Sequence, residues 1–406
     1  QHIQDILSKY PAMISWSGGK DSSVVLALTL EAAKRNKLSG HNMYPITVMH
    51  ADPLVDNPEM TSYVYKEIQN IEKFAFKNDL PIQVKVATPS LNDQWITSVI
   101  GGRKLPVFHR SHDCTIDLKV KPQDRLRKEV KKDLGQHGEP VSFLGTRFDE
   151  STKRKQSMEK RKETSDAIWL SDKGEYMFSP IADWTDADVW RFLHRISKGE
   201  IKSYSDFADL SRIYHDGSSQ TEYEDGVSVP KCRTGCYVCT AGRDNSLEAM
   251  LEADSRYEYM RGLNKLQQFL VGTQHDLSLR QWIGRSINEQ GYLTIAPDTY
   301  SPQMLENLLR YSLTLDCLER DRAKQENEDP KFEIISPEAL VHIDATWSLQ
   351  GIHPAFHALK IYKCIPLILK NNLSACAASK LKPLIYAHLY SFIFVSYSQI
   401  GFHKSY

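Results

Sequence analysis

Residues 15–23 read SWSGGKDSS, and they separate an apolar run, Ala12 to Ile14, from a helix-forming run, Val24 to Lys34. This order predicts a strand, a glycine turn and the N-terminus of a helix. Such a turn binds phosphate, because two adjacent glycines let the backbone approach an anion while unpaired N–H groups and the positive end of the helix dipole point at it. We therefore predict an anion-binding loop rather than a plain glycine–serine turn.

Hydroxyl groups, a lysine and an aspartate add side-chain contacts to this loop. The predicted nucleotide-binding residues of this stretch are Ser15, Ser17, Gly18, Gly19, Lys20, Asp21 and Ser22. The loop lacks the G-x-x-x-x-G-K-[ST] spacing of the Walker loop, so transfer of the γ-phosphate is not the expected reaction.

The pattern downstream of the loop alternates strands with helices. Buried strands are predicted at Tyr44 to His50, Ile82 to Ala87 and Val141 to Gly145, and an amphipathic helix carries Met60, Val64, Ile68 and Ile71. This alternation predicts an α/β fold, a parallel sheet flanked by helices that binds ligands at the carboxyl ends of its strands. Asp52 and Arg147 follow two of these ends, and a guanidinium there suits a bidentate phosphate clamp.

Charge and hydropathy restrict the partners and the compartment. The chain has 51 basic and 51 acidic residues, so any surface for nucleic acid must be local. Lys119 to Lys132 and Lys153 to Lys162 are the candidates for DNA contact, with a solvated helix face as the alternative. No leader peptide opens the chain and no span of 18 apolar residues occurs, which predicts a cytoplasmic protein with no membrane partner.

Three of the seven cysteines form a C-x3-C-x2-C pattern: Cys232, Cys236 and Cys239. A glycine-containing loop aims several thiolates at one point, so this spacing predicts a metal site in preference to a redox pair. Spacing does not separate an iron–sulfur cluster from zinc. We expect the cysteines at 317, 364 and 376 to be buried small hydrophobes.

Composition divides the chain into four regions. Residues 1–196 form the predicted ATP-binding domain, and 197–245 are polar and glycine-containing, typical of a flap that carries the cysteines. Residues 246–362 are expected to be helical, with helix starts at Asn245 with Glu248, at Ser301-Pro302 and at Ser336-Pro337. Residues 363–406 form an atypical tail for which a partner-binding segment, a membrane-touching helix and a sequence peculiarity all stay open.

Five motifs in order carry a family resemblance: SGGKDS (17–22), Cys114 followed by KVKP (119–122), GTRFDES (145–151), SPIADW (179–184) and GCYVCT (235–240). Over roughly residues 10–245 the chain resembles the phosphoadenylylsulfate (PAPS) reductase family of pyrophosphate-loop ATP pyrophosphatases. The Glu-Cys-Gly-Leu/Ile-His motif of sulfonucleotide reductases does not occur in it. The cysteine-rich segment, the helical region and HIDATW (342–347) are most similar to the DndC/SspD proteins of bacterial DNA phosphorothioation.

The resemblance implies an adenine nucleotide alpha hydrolase-like fold and cleavage of ATP, with Mg²⁺, to AMP and pyrophosphate. The implied catalytic residues are Ser17, Lys20, Asp21 and Arg147. ATP would adenylylate a backbone phosphate of DNA, and sulfur from a cysteine desulfurase, acting with other phosphorothioation proteins, would replace a non-bridging oxygen. The alternatives are a sulfonucleotide reductase, an RNA thiolase and a non-catalytic nucleotide-sensing scaffold.

The resemblance also implies a fourth cysteine ligand. Iron–sulfur sulfonucleotide reductases carry a Cys-Cys pair where this chain has Asp113-Cys114, so Cys232 would supply the missing thiolate. A [4Fe–4S] cluster bound by Cys114, Cys232, Cys236 and Cys239 is therefore expected, with zinc as the alternative.

Overall fold

A computed structural model describes residues 1–106, 113–219, 221–224, 226–232, 234–241 and 245–371. The strands are β1 Ala12–Ser15, β2 Ile46–Ala51, β3 Ile82–Ala87, β4 Val141–Phe143, β5 Trp169–Leu170, β6 Tyr176–Phe178, β7 Thr221–Glu224, β8 Val227–Pro230, β9 Arg280–Ile287 and β10 Leu293–Tyr300. The first helices are α1 His2–Leu7, α2 Lys20–Leu38, α3 Pro58–Lys77, α4 Trp95–Val99, α5 Asp113–Thr115 (continued by a π-helical turn, Ile116–Val120), α6 Lys121–Leu134 and α7 Thr152–Arg161. They are followed by α8 Asp186–Ser197, α9 Ala208–Asp216, α10 Ser246–Ala253, α11 Arg261–Gly272, α12 Pro302–Glu326, α13 Pro337–Leu349 and α14 His357–Asn371.

Six strands form the central sheet, in the order β3-β2-β1-β4-β6-β5. The first five run parallel and the short edge strand β5 is antiparallel to β6, which confirms the predicted α/β fold. Ala12 pairs with Ile46 on one side and with Val141 on the other. Because the chain moves from β1 to β2 in one direction and reaches β4 in the other, a crevice opens at the carboxyl end of β1.

The two faces of the sheet are covered by different helices. Alternate residues of a strand point to opposite faces, so Ile14 joins the main core with Val24 of α2 while Met13 packs against Val130 of α6. These side chains are 1 % exposed or less. Burial on both faces explains why the central strands have continuous apolar sequences.

The structure corrects two of the predicted regions. Residues 208–216 of the expected flap form α9, whose Leu210 and Ile213 are completely buried. The region expected to be helical contains the antiparallel hairpin of β9 and β10. The sequence did not predict it, because apolar and polar residues alternate only weakly along the two strands. The domain boundaries themselves stay predictions.

Helix starts and cysteine burial give mixed outcomes. Ser301 and Ser336 cap α12 and α13, each followed by proline, as predicted. Among the described contacts, Asn245 makes no side-chain cap on α10, so the capping pair with Glu248 was wrong. Cys317 is buried as expected, whereas Cys364 is exposed on α14, and Cys376 lies outside the described residues with the tail beyond residue 371.

Within the described ranges, none of the helices has both the length and the apolar character required to cross a bilayer.

Candidate nucleotide site and cysteine segment

The glycine turn lies between β1 and α2 at the sheet crevice. Gly18 has φ +79°, and a Cβ built on it would lie 2.5 Å from Cγ2 of Val64 on α3. Gly19 is the N-cap of α2, and a Cβ there would lie 3.4 Å from the hydroxyl of Tyr214 on α9. Gly18 therefore favours glycine through its backbone conformation and its neighbours, whereas a Cβ on Gly19 would make an ordinary contact.

Hydroxyl groups fix the shape of the turn. The backbone N–H of Ser17 donates to Oγ of Ser22 at 3.2 Å, and the two hydroxyls lie 3.0 Å apart. Trp16 donates from Nε1 to Oγ of Ser23 at 3.1 Å. The predicted residue Ser15 lies inside β1, where it pairs with Met49. The loop is thus held in shape by its own serines, and the first-turn N–H groups of α2 have no intrahelical acceptors.

Two cations and two carboxylates meet beside this turn. Lys20 Nζ lies 2.8 Å from Oδ1 of Asp186 and 3.2 Å from Oδ2 of Asp21. Arg147 donates from Nε to Oδ1 of Asp21 at 2.7 Å, from Nη2 to Asp186, and from Nη1 to the carbonyl oxygen of Trp184 at 3.1 Å. We call Lys20, Asp21, Arg147 and Asp186 the four-charge network.

The network is largely buried, and its formal charges sum to zero. Arg147 is only 1 % exposed, so its guanidinium is a structural partner of both carboxylates. Burial alone would raise the pKa of Asp186, but Lys20 and Arg147 outweigh it and lower that pKa below its ordinary value. Asp186 therefore stays ionised, and each of the two cations has a carboxylate partner.

Gly145 explains why Arg147 reaches the loop. A Cβ at Gly145 would lie 3.0 Å from the backbone nitrogen of Ser22 and 3.1 Å from the carbonyl carbon of Asp21. The segment after β4 therefore packs directly against the first turn of α2. A bulkier residue would separate Arg147 from the anion-binding loop.

Asp52 lies near the loop but makes local contacts. It accepts from the N–H of Leu54 and from the hydroxyl of Tyr65, both at 2.8 Å. Together with Ser17 and Asp56 it lines a small cavity of about 20 Å³, room for roughly one water molecule. The predicted residues Ser17 and Asp52 are thus brought together.

The cysteine segment reaches this same cavity through Asp56. The thiol of Cys236 lies 3.2 Å from Oδ1 of Asp56, and Nζ of Lys119 lies 3.3 Å from the same oxygen. Burial, with the Asp56 carboxylate beside it, raises the pKa of Cys236. Cys236 is thus a neutral thiol at neutral pH.

Of the other three cysteines, Cys114 and Cys239 are near neighbours, and Cys232 lies by the end of α9. Cys114 and Cys236 each lie close enough to Cys239 for their charges to interact. Cys232 lies beside α9, where a Cβ on Gly217 would come within 2.9 Å of its sulfur. Cys232 also interacts electrostatically with Tyr214, which contacts the phosphate loop. The segment therefore connects the predicted metal ligands to the predicted nucleotide site.

The spacing of these thiols bears on the choice of metal. Thiolates on one zinc ion lie about 3.8 Å apart, since Zn–S bonds of about 2.3 Å point to the corners of a tetrahedron. Among the described residues, the four cysteines do not form a group of three or more whose ligand atoms all lie within 4.8 Å of one another. Both the iron–sulfur cluster and the zinc site therefore stay predictions for these cysteines.

Most of the predicted DNA-binding cations near α6 have acidic partners. Lys131 lies 3.1 Å from Glu139, and Arg127 lies 2.7 Å from Glu175. On α7, in contrast, the lysines Lys153, Lys155 and Lys160 are exposed to solvent. The start of α7 follows Arg147 in the sequence after a single 3-10 turn.

A larger cavity, of about 730 Å³, opens on the other side of Cys114. Its walls include Arg103, Ile116 of the π-helical turn and Asp298 of β10. The hairpin missed by the sequence patterns therefore helps to enclose the space in front of a predicted metal ligand.

Comparison with known proteins agrees with the motif order. Residues 11–201 match the phosphoadenosine phosphosulfate reductase domain. They form a PAPS reductase-like domain. The match includes the glycine turn, Cys114, Arg147 and Asp186, and it ends before the other three cysteines of the predicted metal site.

Two further comparisons add little. No curated protein matches the chain. Among solved structures, the FMN adenylyltransferase of Candida glabrata, in complex with FMN and the ATP analogue AMPCPP, is similar at 14 % identity and a TM-score of 0.25. That alignment covers 46 % of this chain and 47 % of the other, so the chain spans about half the length of this structural neighbour.

Sequence patterns missed several residues that complete the site. Asp186 follows Thr185 directly after the SPIADW motif, and sequence patterns assigned it no role. Asp56 and Tyr214 have no local signature, because their roles depend on contacts with residues far away in the sequence. A carboxylate one residue after a helix cap, close to a family motif, is the signal that could have identified Asp186.

Proposed function

We propose that the protein is an ATP pyrophosphatase that adenylylates a backbone phosphate of DNA, and that it takes part in replacing a non-bridging oxygen by sulfur. The observation that carries the proposal is the four-charge network at the phosphate loop. Its two cations would bind phosphates, and its two carboxylates would bind a metal ion.

Nucleotide binding would exchange the partners within this network. Lys20 and Arg147 would transfer from Asp21 and Asp186 to the phosphate oxygens, while the N–H groups of the glycine turn hold the β- and γ-phosphates. The released carboxylates fit Mg²⁺, which protein sites bind through one or two carboxylates plus substrate phosphates, and which would neutralise the charge of the leaving pyrophosphate.

The first chemical step follows from these contacts. A non-bridging oxygen of the DNA phosphate attacks the α-phosphorus of ATP, and the bond between that phosphorus and the α–β bridging oxygen breaks. Pyrophosphate leaves with the electron pair, next to Lys20 and Arg147, which stabilise its charge. The product is a DNA phosphate linked to AMP, in which AMP has become a good leaving group.

The second step introduces sulfur. A persulfide formed on a cysteine desulfurase attacks the DNA phosphorus through its terminal sulfur, and AMP leaves. A thiol reductant then supplies two electrons that break the remaining S–S bond and leave the phosphorothioate. Cys114, Cys232, Cys236 and Cys239 are the residues that would hold a [4Fe–4S] cluster beside this site.

The surface of α7 supports DNA as the acceptor. Its exposed lysines follow directly after Arg147, so a duplex that rests on them would bring a phosphate towards the loop. Binding through such contacts would weaken steeply with salt.

The experiment measures AMP and pyrophosphate from ATP, with and without duplex DNA, in the wild type, Lys20→Ala and Lys34→Ala. Lys34 lies on the same helix, α2, away from the loop, and it serves as the matched control. We expect DNA to stimulate AMP formation, Lys20→Ala to reduce it about ten- to hundredfold through loss of a charge-assisted contact, and Lys34→Ala to resemble the wild type.

Absence of AMP formation with any DNA would contradict the proposal, as would equal rates in all three proteins. A sulfonucleotide reductase is the second candidate, favoured by the match of residues 11–201 to the PAPS reductase domain. Release of sulfite from PAPS in the presence of a thiol reductant would support that candidate instead.

A further inference from the structure

The C-terminal helices bring together a carboxylate and two imidazoles that are far apart in the sequence. Glu306 lies near the start of α12, His353 lies between α13 and α14, and His357 is the first residue of α14. One ligand atom from each lies within 4.8 Å of the other two, and all three residues are half-buried. Nothing in the PAPS reductase-like domain accounts for this group, since that domain ends at residue 201.

The carboxylate is held with one oxygen towards the imidazoles. Arg310, one turn further along α12, lies 2.7 Å from Oε1 of Glu306. The second oxygen, Oε2, lies 2.8 Å from Nε2 of His357. Arg310 therefore orients the carboxylate so that Oε2 faces His357.

The first imidazole is fixed in one tautomer. Nε2 of His353 lies 3.0 Å from the carbonyl oxygen of Pro302, and a carbonyl only accepts, so Nε2 carries the hydrogen and Nδ1 has the lone pair. Histidine ligands of metals commonly donate their other N–H in this way, which sets the ring orientation.

The two imidazoles stack face to face over a buried tryptophan. The ring centroids of His353 and His357 are 4.4 Å apart with 15° between the planes, and Trp347, fully buried, lies 4.7 Å from His353. Two protonated rings at this distance would repel each other. At least one lone pair is therefore available beside a carboxylate in a partly dry environment.

We propose that Glu306, His353 and His357 bind one divalent transition-metal ion, zinc being the first choice, and that this ion fastens α14 to α12. Two imidazoles and a carboxylate are a donor set that suits zinc, and three protein ligands leave a fourth position for water. The ion binds the folded protein in preference to the unfolded chain, so it stabilises the C-terminal helices. This site is independent of the proposed nucleotide chemistry.

The test titrates the full chain, stripped of loosely bound metal and kept anaerobic, with Co²⁺ as a spectroscopic probe for the zinc site. Co²⁺ on thiolates gives a strong sulfur-to-metal charge-transfer band, whereas Co²⁺ on imidazole and carboxylate gives only weak d–d bands, so the cysteines are distinguished. We expect the wild type and the exposed-histidine control His137→Ala to bind one equivalent without the sulfur band. His357→Ala should bind it about a hundredfold more weakly or not at all.

A second readout covers variants that fold poorly. Zn²⁺ should raise the Tm of the wild type by several degrees and should have no such effect on His353→Phe, which keeps a ring against Trp347 but has no ligand atom. Equal Co²⁺ stoichiometry without the sulfur band in the wild type, His357→Ala and His353→Phe would overturn the proposal. A wild type that takes up Co²⁺ only with the sulfur band would overturn it as well.

Discussion

Two carboxylates, the partly exposed Asp186 beside the glycine turn and the buried Asp316 inside the C-terminal helices, are held in opposite ways. Asp186 contacts two cations, Lys20 and Arg147, and these lower its pKa. Asp316 is 2 % exposed and accepts from the backbone N–H groups of Ile334 and Ile335. Burial raises the pKa of Asp316 to about 7, and these N–H groups offset the effect only in part.

This difference in partners implies different roles: Asp186 belongs to a site that can exchange its partners, whereas Asp316 holds a loop in place. A carboxylate paired with cations can release them to an incoming phosphate, because the total charge around it stays balanced. Asp316 fastens the segment before α13 to α12, and its hydrogen-bond donors in the described part of the chain are backbone N–H groups. We therefore expect the two regions to respond oppositely to pH and to mutation.

The largest expected effect is on the pH dependence of stability through Asp316. An unfolded Asp has a pKa of about 3.9, and the folded pKa is about 7, so the folded protein binds the proton more tightly. Asp316 therefore contributes fully to the free energy of unfolding below about pH 4. This contribution falls by about 4 kcal/mol in total as the pH rises to about 7, and it stays low above that pH. Urea unfolding of the wild type and Asp316→Asn from pH 4 to 8 should show a flatter profile for the variant.

The slope of the free energy of unfolding against pH tests this prediction. Its value at a single pH does not, because Asp316→Asn also loses one acceptor and shifts stability at every pH. Parallel profiles for the two proteins would contradict the assignment to Asp316.

The second effect is smaller and lies at the loop. Asp186→Ala leaves Lys20 with Asp21, and the buried Arg147 with Asp21 and the more distant Asp149, which should cost about 3 kcal/mol of unfolding free energy. In the same variant we expect AMP formation to fall at least tenfold, since both phosphate-binding cations lose their position. Chemical unfolding and the ATP product assay measure the two quantities on one sample.

Asp188→Ala is the matched control, two residues along the same helix. Asp188 completes the cap of α8 with Thr185 and does not contact Lys20 or Arg147 in the described structure. We expect a loss of about 1 kcal/mol with AMP formation near that of the wild type. If both variants behaved alike, the four-charge network would have no special role.

The smallest effect concerns helix caps, which are alike in the two regions. Ser336 caps α13 and Ser151 caps α7, each accepting a backbone N–H at 3.2 Å. Ser336→Ala should cost about 1 kcal/mol, whereas Ser151→Ala should cost less than half of that in global unfolding, because α7 buries only Met158 and can fray by itself. Equal losses would mean that α7 unfolds together with the rest of the molecule.

The sequence predicted the parts of the molecule that depend on local patterns. Strand, glycine turn and helix follow each other at residues 12–38, and the parallel sheet follows from apolar runs that need burial on both faces. The prolines after Ser301 and Ser336 also predicted their helices, because proline in the first turn is a local signal of a helix start.

The missed parts depend on distant contacts. The partners that enclose Arg147, the contact of Cys236 with Asp56 and the grouping of Glu306 with His353 and His357 join residues more than 30 positions apart. The hairpin of β9 and β10 was missed because an exposed two-stranded ribbon has little apolar periodicity.

The contact between Cys236 and Asp56 has a thermodynamic consequence. Asp56 lines the small cavity that also contains Ser17, and its carboxylate holds the Cys236 thiol at 3.2 Å. A ligand that takes the sulfur of Cys236 removes that contact, leaves the carboxylate paired with Lys119 and changes the charge beside the cavity. Coupling between two binding equilibria is reciprocal. If the ligand on Cys236 changes the affinity for nucleotide by some factor, nucleotide binding must change the affinity of the cysteine site for its ligand by the same factor.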